Sequence, residues 1–467
     1  MKKCGIVFCK LKLLLAILIF SIFMLNSQKC YAKDVEEESE ISEKIDNYLQ
    51  TTLEDANVKG MALEIVNSDT VVYSNTYGDA KETSDNFIIG SMSKSFTALA
   101  IVDLADKGIV NLDVSICEYL EDYPELEEIT VRDLLNQVSG IASNQLLSDI
   151  NITSSKGQFQ YANANYNLLG KIIEKVTGKE YTEYVKESIF EPLEMTNTYA
   201  NYGEDQQKTL VQGYTSYFGI MIPRNVMYPD KDSWSQVPAG YIISNIEDMG
   251  KYLQMYLRKG NSIFDSETVN TVLHNGVDAS TDTSAVSDMY GGDAKYCMGW
   301  IEKKVDDEPI IYHAGKVENF TSVMVLLPER DLAAVMLFNS MDFLVGQSLI
   351  EQIEENVVSI IRGEEIKEIN SNSYILQHGI INVVCLVMIF LCCLPILIFL
   401  KREKERKGNI VISIIIHLVC PILLAIAFPI AGMPLFVIRG FVPDIFLVLI
   451  LSITILILGG IIKFVKR

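Results

Sequence analysis

The stretch Asn86-Phe87-Ile88-Ile89-Gly90-Ser91-Met92-Ser93-Lys94-Ser95-Phe96-Thr97-Ala98-Leu99-Ala100 decides how this chain is read. It sets an amine one helical turn after a hydroxyl, and residues three apart on a helix share a face. Gly90 lets an extended Phe87–Ile89 run turn into a helix, which places Ser91 at the helix N-terminus. Unpaired N–H groups and the positive end of the helix dipole there favour negative charge on an attacking oxygen or an oxyanion. Ser-x-x-Lys also arises by chance on solvated helix faces. Here, however, Phe96, Ala98, Leu99, Ile101, Val102 and Leu104 predict a buried stripe that stops near Gly108. A polar pair at the head of a buried helix needs a chemical reason.

Two later segments supply one, Tyr161-Ala162-Asn163 and His313-Ala314-Gly315. In this order the three motifs resemble the serine β-lactamase and penicillin-binding protein superfamily, in the branch with a tyrosine second motif that includes class C β-lactamases, D-amino-acid peptidases and related esterases. The resemblance runs from about Ile41 to Gly363. It includes Ile129–Leu135 leading to Ser139-Gly140, Tyr166–Glu174, Pro192–Thr198 and Gly299-Trp300. It implies an α+β fold: an antiparallel sheet of early and late strands, flanked by terminal helices, with a helical subdomain between and the site at their junction.

The resemblance also assigns roles. Ser91 is the nucleophile, and Lys94 or a Tyr161 phenolate takes its proton. Tyr161 passes that proton to the leaving group, and Asn163 hydrogen-bonds a substrate amide carbonyl. His313 stands where relatives carry lysine and is expected to donate to Tyr161 or to a substrate carboxylate. Gly315 admits the substrate backbone, and the N–H of Lys316 joins that of Ser91 as the oxyanion hole. Asn319 is a candidate for substrate side-chain contact, with a plain loop role as the alternative. Ala314 departs from relatives, which have a hydroxyl there, and Lys316 replaces their Gly or Ser. Losing the hydroxyl removes one donor for a substrate carboxylate and weighs against efficient β-lactam hydrolysis and D-Ala-D-Ala carboxypeptidase action. Tyr161 could also be a core aromatic, and His313 a satisfied core histidine.

Hydropathy divides the chain of 467 residues. An apolar run from Leu13 to Leu25 follows Lys2, Lys3, Lys10 and Lys12, and Cys30-Tyr31-Ala32 offers a cleavage point, so 1–32 reads as an export signal. From Gly379 onward, about 379–400, 409–432 and 444–462 are apolar and each is near the ~20 residues that a membrane helix needs. Basic segments at Lys401–Lys407 and Lys463–Arg467 predict cytoplasmic ends, which puts residues 33–365 outside the membrane and makes 366–378 a short linker. Five Lys/Arg without acids in 1–32, and nine Lys/Arg with three acids in 379–467, leave −32 on residues 33–378 out of a total of −21. So acidic a domain repels nucleic acid.

Of nine Cys, only Cys117 and Cys297 lie in the exported part, and they read as buried thiols. With four His and no C-x-x-C or H-E-x-x-H, neither a metal site nor a cofactor is expected.

The coarse pattern is an amphipathic helix over 41–55, β-runs at Gly60–Val66 and Thr70–Asn75, a mostly helical middle, a second β set at Met298–Lys303, Ile310–His313, Thr321–Leu327 and Ala333–Asn339, and a helix from Phe343 to Ile361. Export signal, hydrolase domain and three spans in that order look like the prodrug-activating peptidases of the colibactin type. The leading expectation is a membrane-anchored serine hydrolase acting on D-amino-acid-containing amides. The alternatives are a cell-wall D,D-peptidase, a β-lactamase or an esterase of the same family, and, from another class, a non-catalytic peptide sensor or immunity protein. The expected partners are a small peptide or amide and the cell membrane. Nothing in the sequence fixes the oligomeric state.

Overall fold

A computed structural model describes residues 40–225, 227–280, 290, 293–369, 371–401 and 410–465. The expected export signal at 1–32, most of the acidic segment after it, the basic segment 402–409 and the last two residues lie outside the described residues.

An eight-stranded antiparallel sheet organises the domain. Its strands run Val71–Gly78, Gly60–Val66, Leu332–Phe338, Phe320–Leu327, Glu308–Val317, Trp300–Val305, Ala294–Cys297 and Val277–Asp278. Early and late strands thus meet at the Met61↔Phe338 register. The first hairpin closes on Asn67, whose Oδ1 accepts from the N–H groups of Asp69 and Thr70 at 2.9 and 2.7 Å. Helix 40–55 and helix Gly346–Arg362 lie together, Asn356 Nδ2 donating to Tyr48 Oη at 2.8 Å, and they bury Ile45, Leu49, Ile353 and Val357. Helix Ile246–Leu257 packs on strands Gly60–Val66 and Leu332–Phe338. Gly250 is required there, because a Cβ at that position would sit 2.0 Å from Glu64 Oε1.

Helix Ser93–Asp106 is the hub of the helical part, packed by Asn163–Thr177, Val237–Gly240 and Ser266–His274. The predicted apolar stripe is wider than expected: every residue from Ser93 to Leu104 is buried, because neighbours surround the helix on all sides. Phe96 stacks on Tyr252 with ring centres 4.0 Å apart and meets Phe190 edge-on at 5.7 Å.

The middle is less helical than its sequence pattern. Gly213–Tyr217 and Ile220–Arg224 form a hairpin that joins Ser340–Met341 in a small second sheet, and Phe87–Ile88 pairs with Ile243–Ser244. Strands of two to five residues carry too little alternation to be read from sequence. Ala294–Cys297 and the edge strand Val277–Asp278 escape notice for the same reason.

Among the described residues, three helices are long and apolar enough to cross a membrane: Asn372–Lys401, Ile410–Ile430 and Pro443–Val465. The first begins earlier than Gly379, so most of the expected 366–378 linker is helix. The reason is a buried polar anchor that holds this turn against the sheet domain. Tyr374 Oη donates to Asp342 Oδ2 at 2.9 Å, and His378 Nε2 lies 2.7 Å from the same oxygen. The tip of the Gly213–Arg224 hairpin docks beside it. Phe218 N–H donates to Asp444 Oδ2 at 3.0 Å, Asn382 Nδ2 donates to the Phe218 carbonyl at 3.1 Å, and Arg224 Nη1 donates to the Gly440 carbonyl at 2.5 Å.

Candidate active site

Ser91 sits in a tight 3₁₀ turn, Gly90–Met92, that feeds directly into helix Ser93–Asp106. Gly90 makes the turn with φ +53°, a left-handed conformation costly for any other residue. Space demands glycine as well. A Cβ on Gly90 would meet the Lys316 nitrogen at 2.4 Å, and one on Gly315 would meet the Ile89 carbonyl oxygen at 2.1 Å. Backbone therefore lies against backbone where the Gly90–Met92 turn crosses the Glu308–Val317 strand. Ser322 Oγ pins the crossing by donating to the Ile89 carbonyl at 2.8 Å.

Lys94 is fully buried. Its Nζ lies 3.0 Å from Ser91 Oγ, 2.7 Å from Asn163 Oδ1 and 2.5 Å from the Ala239 carbonyl oxygen. Burial pushes the amine well below the usual lysine range. The two carbonyl oxygens can only accept, so a neutral amine spends both its hydrogens on them and turns its lone pair toward the Ser91 hydroxyl. Tyr161, partly exposed, packs its ring 4.7 Å from Lys94 Nζ. Burial and the neighbouring Tyr296 hold its phenol well above the normal range, with a hydrogen bond to Ser91 pulling the other way. Both shifts favour a neutral amine beside a neutral phenol over an ammonium beside a phenolate.

Asn163 opens helix Asn163–Thr177, and its Oδ1 is committed to Lys94. His313 is buried, with its ring centre 6.4 Å from that of Tyr161 and 6.2 Å from that of Tyr296. Burial, followed by the effect of Lys94, brings its pKa down to about 3, so the ring is neutral. Its Nδ1 lies 2.6 Å from the Ala314 carbonyl oxygen and must carry the hydrogen, while Nε2 has no hydrogen-bond partner among the described residues. In this tautomer the ring N–H is spent on a backbone carbonyl, and Nε2 is the nitrogen able to accept.

Asn319 is 2 % exposed, and its Nδ2 donates to the Arg224 carbonyl at 3.1 Å, so it ties two hairpins together, as the loop alternative expects. Lys316 sends its side chain to Glu351, Nζ to Oε1 2.8 Å, and leaves only its backbone at the crossing with Gly90.

The structure thus gathers Ser91, Lys94, Tyr161, Asn163, His313, Gly315 and the Lys316 backbone around one crossing and leaves Asn319 out. Sequence reasoning missed the Ala239 carbonyl, the second acceptor on Lys94, because a backbone atom leaves no residue-type signature. It also missed Ser322, whose hydroxyl looks like any strand serine.

An α+β domain with a Ser-x-x-Lys turn crossing the edge of an antiparallel sheet defines the β-lactamase-like class. A family model described as Beta-lactamase matches residues 45–354, and the chain belongs to that family. Among curated relatives, "Protein flp" of Staphylococcus aureus (strain MRSA252) is 25% identical over 405 residues, covering 79% of this chain and 76% of that protein. "Beta-lactamase-like protein 2" of Dictyostelium discoideum is 28% identical over 341 residues, 64% of this chain and 59% of that one. Among solved structures, the octameric penicillin-binding protein homologue from Pyrococcus abyssi superimposes with a TM-score of 0.60 at 26% identity, over 69% of this chain and 77% of that one. A class C β-lactamase gives 0.56 at 18% identity, over 71% and 98%, a likeness of fold.

Proposed function

We propose that this protein is a membrane-anchored serine hydrolase whose catalytic domain faces the outside of the cell and which forms an acyl-enzyme on Ser91. The observation that carries this reading is the Lys94 amine, 3.0 Å from Ser91 Oγ with its hydrogens directed at two carbonyls. Neutral Lys94 takes the Ser91 proton as Oγ attacks the acyl carbon. The N–H groups of Ser91 and Lys316 stabilise the oxyanion. Tyr161, a neutral phenol, relays a proton to the departing amine or alcohol, and the Asn163 amide N–H groups hold a substrate carbonyl. Water then repeats the sequence to release the acid.

The third motif bears on substrate. A neutral, accepting His313 beside Ala314 offers neither a fixed cation nor a hydroxyl to a carboxylate. Penicillins and D-Ala-D-Ala peptides both present one. The reading favoured is therefore a peptidase or amidase for uncharged amides, with amides of N-acylated D-residues, N-acyl-D-asparagine among them, the first class to try. A panel of N-acyl-D-Asn amides, their L-counterparts, acyl esters and a fluorescent penicillin tests this. Turnover of D-amides that Ser91→Ala abolishes supports it, and penicillin labelling with no amide turnover would favour a D,D-peptidase or β-lactamase instead.

The anchor belongs to the same proposal. The three apolar helices span the membrane, residues 1–32 direct export, and the basic segments stay in the cytoplasm. Single cysteines introduced at exposed Glu128 and at Lys404 should react with a membrane-impermeant maleimide on intact cells in the first case alone.

A further inference from the structure

We propose that Glu351, on the helix behind the sheet, is a positioning residue for the oxyanion-hole N–H of Lys316. This rests on the oxyanion role given to Lys316 above. Side chains alternate along a strand, so His313 and Gly315 turn to one face of the Glu308–Val317 strand and Ala314 and Lys316 to the other. The strand pairs with Trp300–Val305 only as far as Tyr312↔Ile301. Beyond that point its edge is open toward the nucleophile turn, and only Phe320–Leu327 holds it from the side, through Gly315↔Ser322 and Lys316↔Thr321. An open edge with its donor at the crossing needs a restraint from behind.

The Lys316 side chain supplies that restraint. Its ammonium reaches Glu351 Oε1 at 2.8 Å, and Gln347 Nε2, one turn earlier on the same helix, donates to the same oxygen at 3.1 Å. The two ion-pair partners are 30 and 25 % exposed, so the pair is shielded without being sealed. The next carboxyl on the helix, Glu354, is fully buried, and burial followed by the charge of Glu351 keeps it in the acid form. Glu351 is the carboxyl group that meets the Lys316 side chain. The helix itself is braced: Asn356 Oδ1 accepts from Lys367 N–H at 2.9 Å and its Nδ2 donates to the Lys367 carbonyl at 2.8 Å. Clearance at the crossing is small, since a single added carbon on Gly90 would collide with the Lys316 nitrogen. A shift of the strand by a few tenths of an ångström is therefore felt at the oxyanion.

The test uses the full-length chain in detergent micelles, with the rate of Ser91 labelling by a fluorophosphonate, the kcat and KM for an acyl ester, and the thermal midpoint. Glu351→Gln and Glu351→Ala are expected to slow labelling and kcat about fivefold, the upper range for a partly exposed ion pair, with KM and the midpoint unchanged. The exchanged pair K316E/E351K should restore most of the rate. Wild-type labelling rates in both Glu351 variants, a loss confined to KM, or no recovery in the exchanged pair would overturn the proposal alone. A wild-type protein never labelled at Ser91 would overturn the nucleophile reading, and this inference with it.

Discussion

In the mechanism proposed above, Lys94 is suited to act as the base because of what surrounds it. A surface lysine holds its proton at neutral pH, whereas here burial lowers the pKa and two carbonyls orient the lone pair. With the free amine as the proposed base, kcat/KM should rise with pH as Lys94 loses its proton and fall on the acid side. A pH profile checks this. The acid limb should keep its position in His313→Gln, because a ring titrating at about 3 contributes no charge change near neutrality. Tyr161→Phe should lower kcat about 10²- to 10⁴-fold, the usual worth of a placed general acid or base, with KM little affected. Ser91, Lys94 and Tyr161 were legible in the sequence because each motif fixes a residue type at a short spacing. The tautomer of His313 was not, since it depends on the carbonyl its ring meets.

Elements decide whether these residues meet. The crossing of the nucleophile turn over the Glu308–Val317 strand is built by two glycines, and Gly90→Ala should be destabilising by about 2 kcal/mol, from left-handed strain plus collision. Denaturant unfolding measures it, with labelling at Ser91 slowed in the same variant. A second element carries a pH dependence. Glu64 is buried between strand Gly60–Val66 and helix Ile246–Leu257, and burial raises its pKa from 4.5 to about 7. The folded state then binds the proton more tightly than the unfolded chain. Its stabilising contribution is whole below about 4.5 and disappears as pH rises through about 7. Glu64→Gln should therefore flatten the fall in thermal midpoint across that window, and an unchanged slope would refute the assignment. The long strands and the terminal helices could be read from periodicity. The Gly213–Arg224 hairpin could not, because its short strands show a period only once the second sheet gives them partners.

At the scale of the whole molecule, the membrane helices are attached through specific polar contacts rather than by a free tether. Asp342 takes hydrogen bonds from Tyr374 and His378 inside the joint, and Asp444 takes one from Phe218. Asp342→Ala would leave the buried His378 Nε2 without its partner and remove the nearest acceptor of the Tyr374 hydroxyl, which keeps Asn57 Nδ2 as a donor, at a cost of about 2 kcal/mol. It should also expose the Ser371–His378 turn to protease in detergent, where the wild type resists. Apolar length made the spans visible in sequence. The joint was invisible because it pairs an aspartate after the last strand with a tyrosine and a histidine more than thirty residues on.

The central claim is that Ser91, primed by Lys94, is the acyl-accepting nucleophile. Intact-protein mass spectrometry after fluorophosphonate treatment of the folded full-length protein tests it most directly. The wild type should gain one adduct that maps to Ser91, and Ser91→Ala and Lys94→Met should gain none. A folded wild-type protein that takes up no label at Ser91, or hydrolysis that survives Ser91→Ala, would contradict the account.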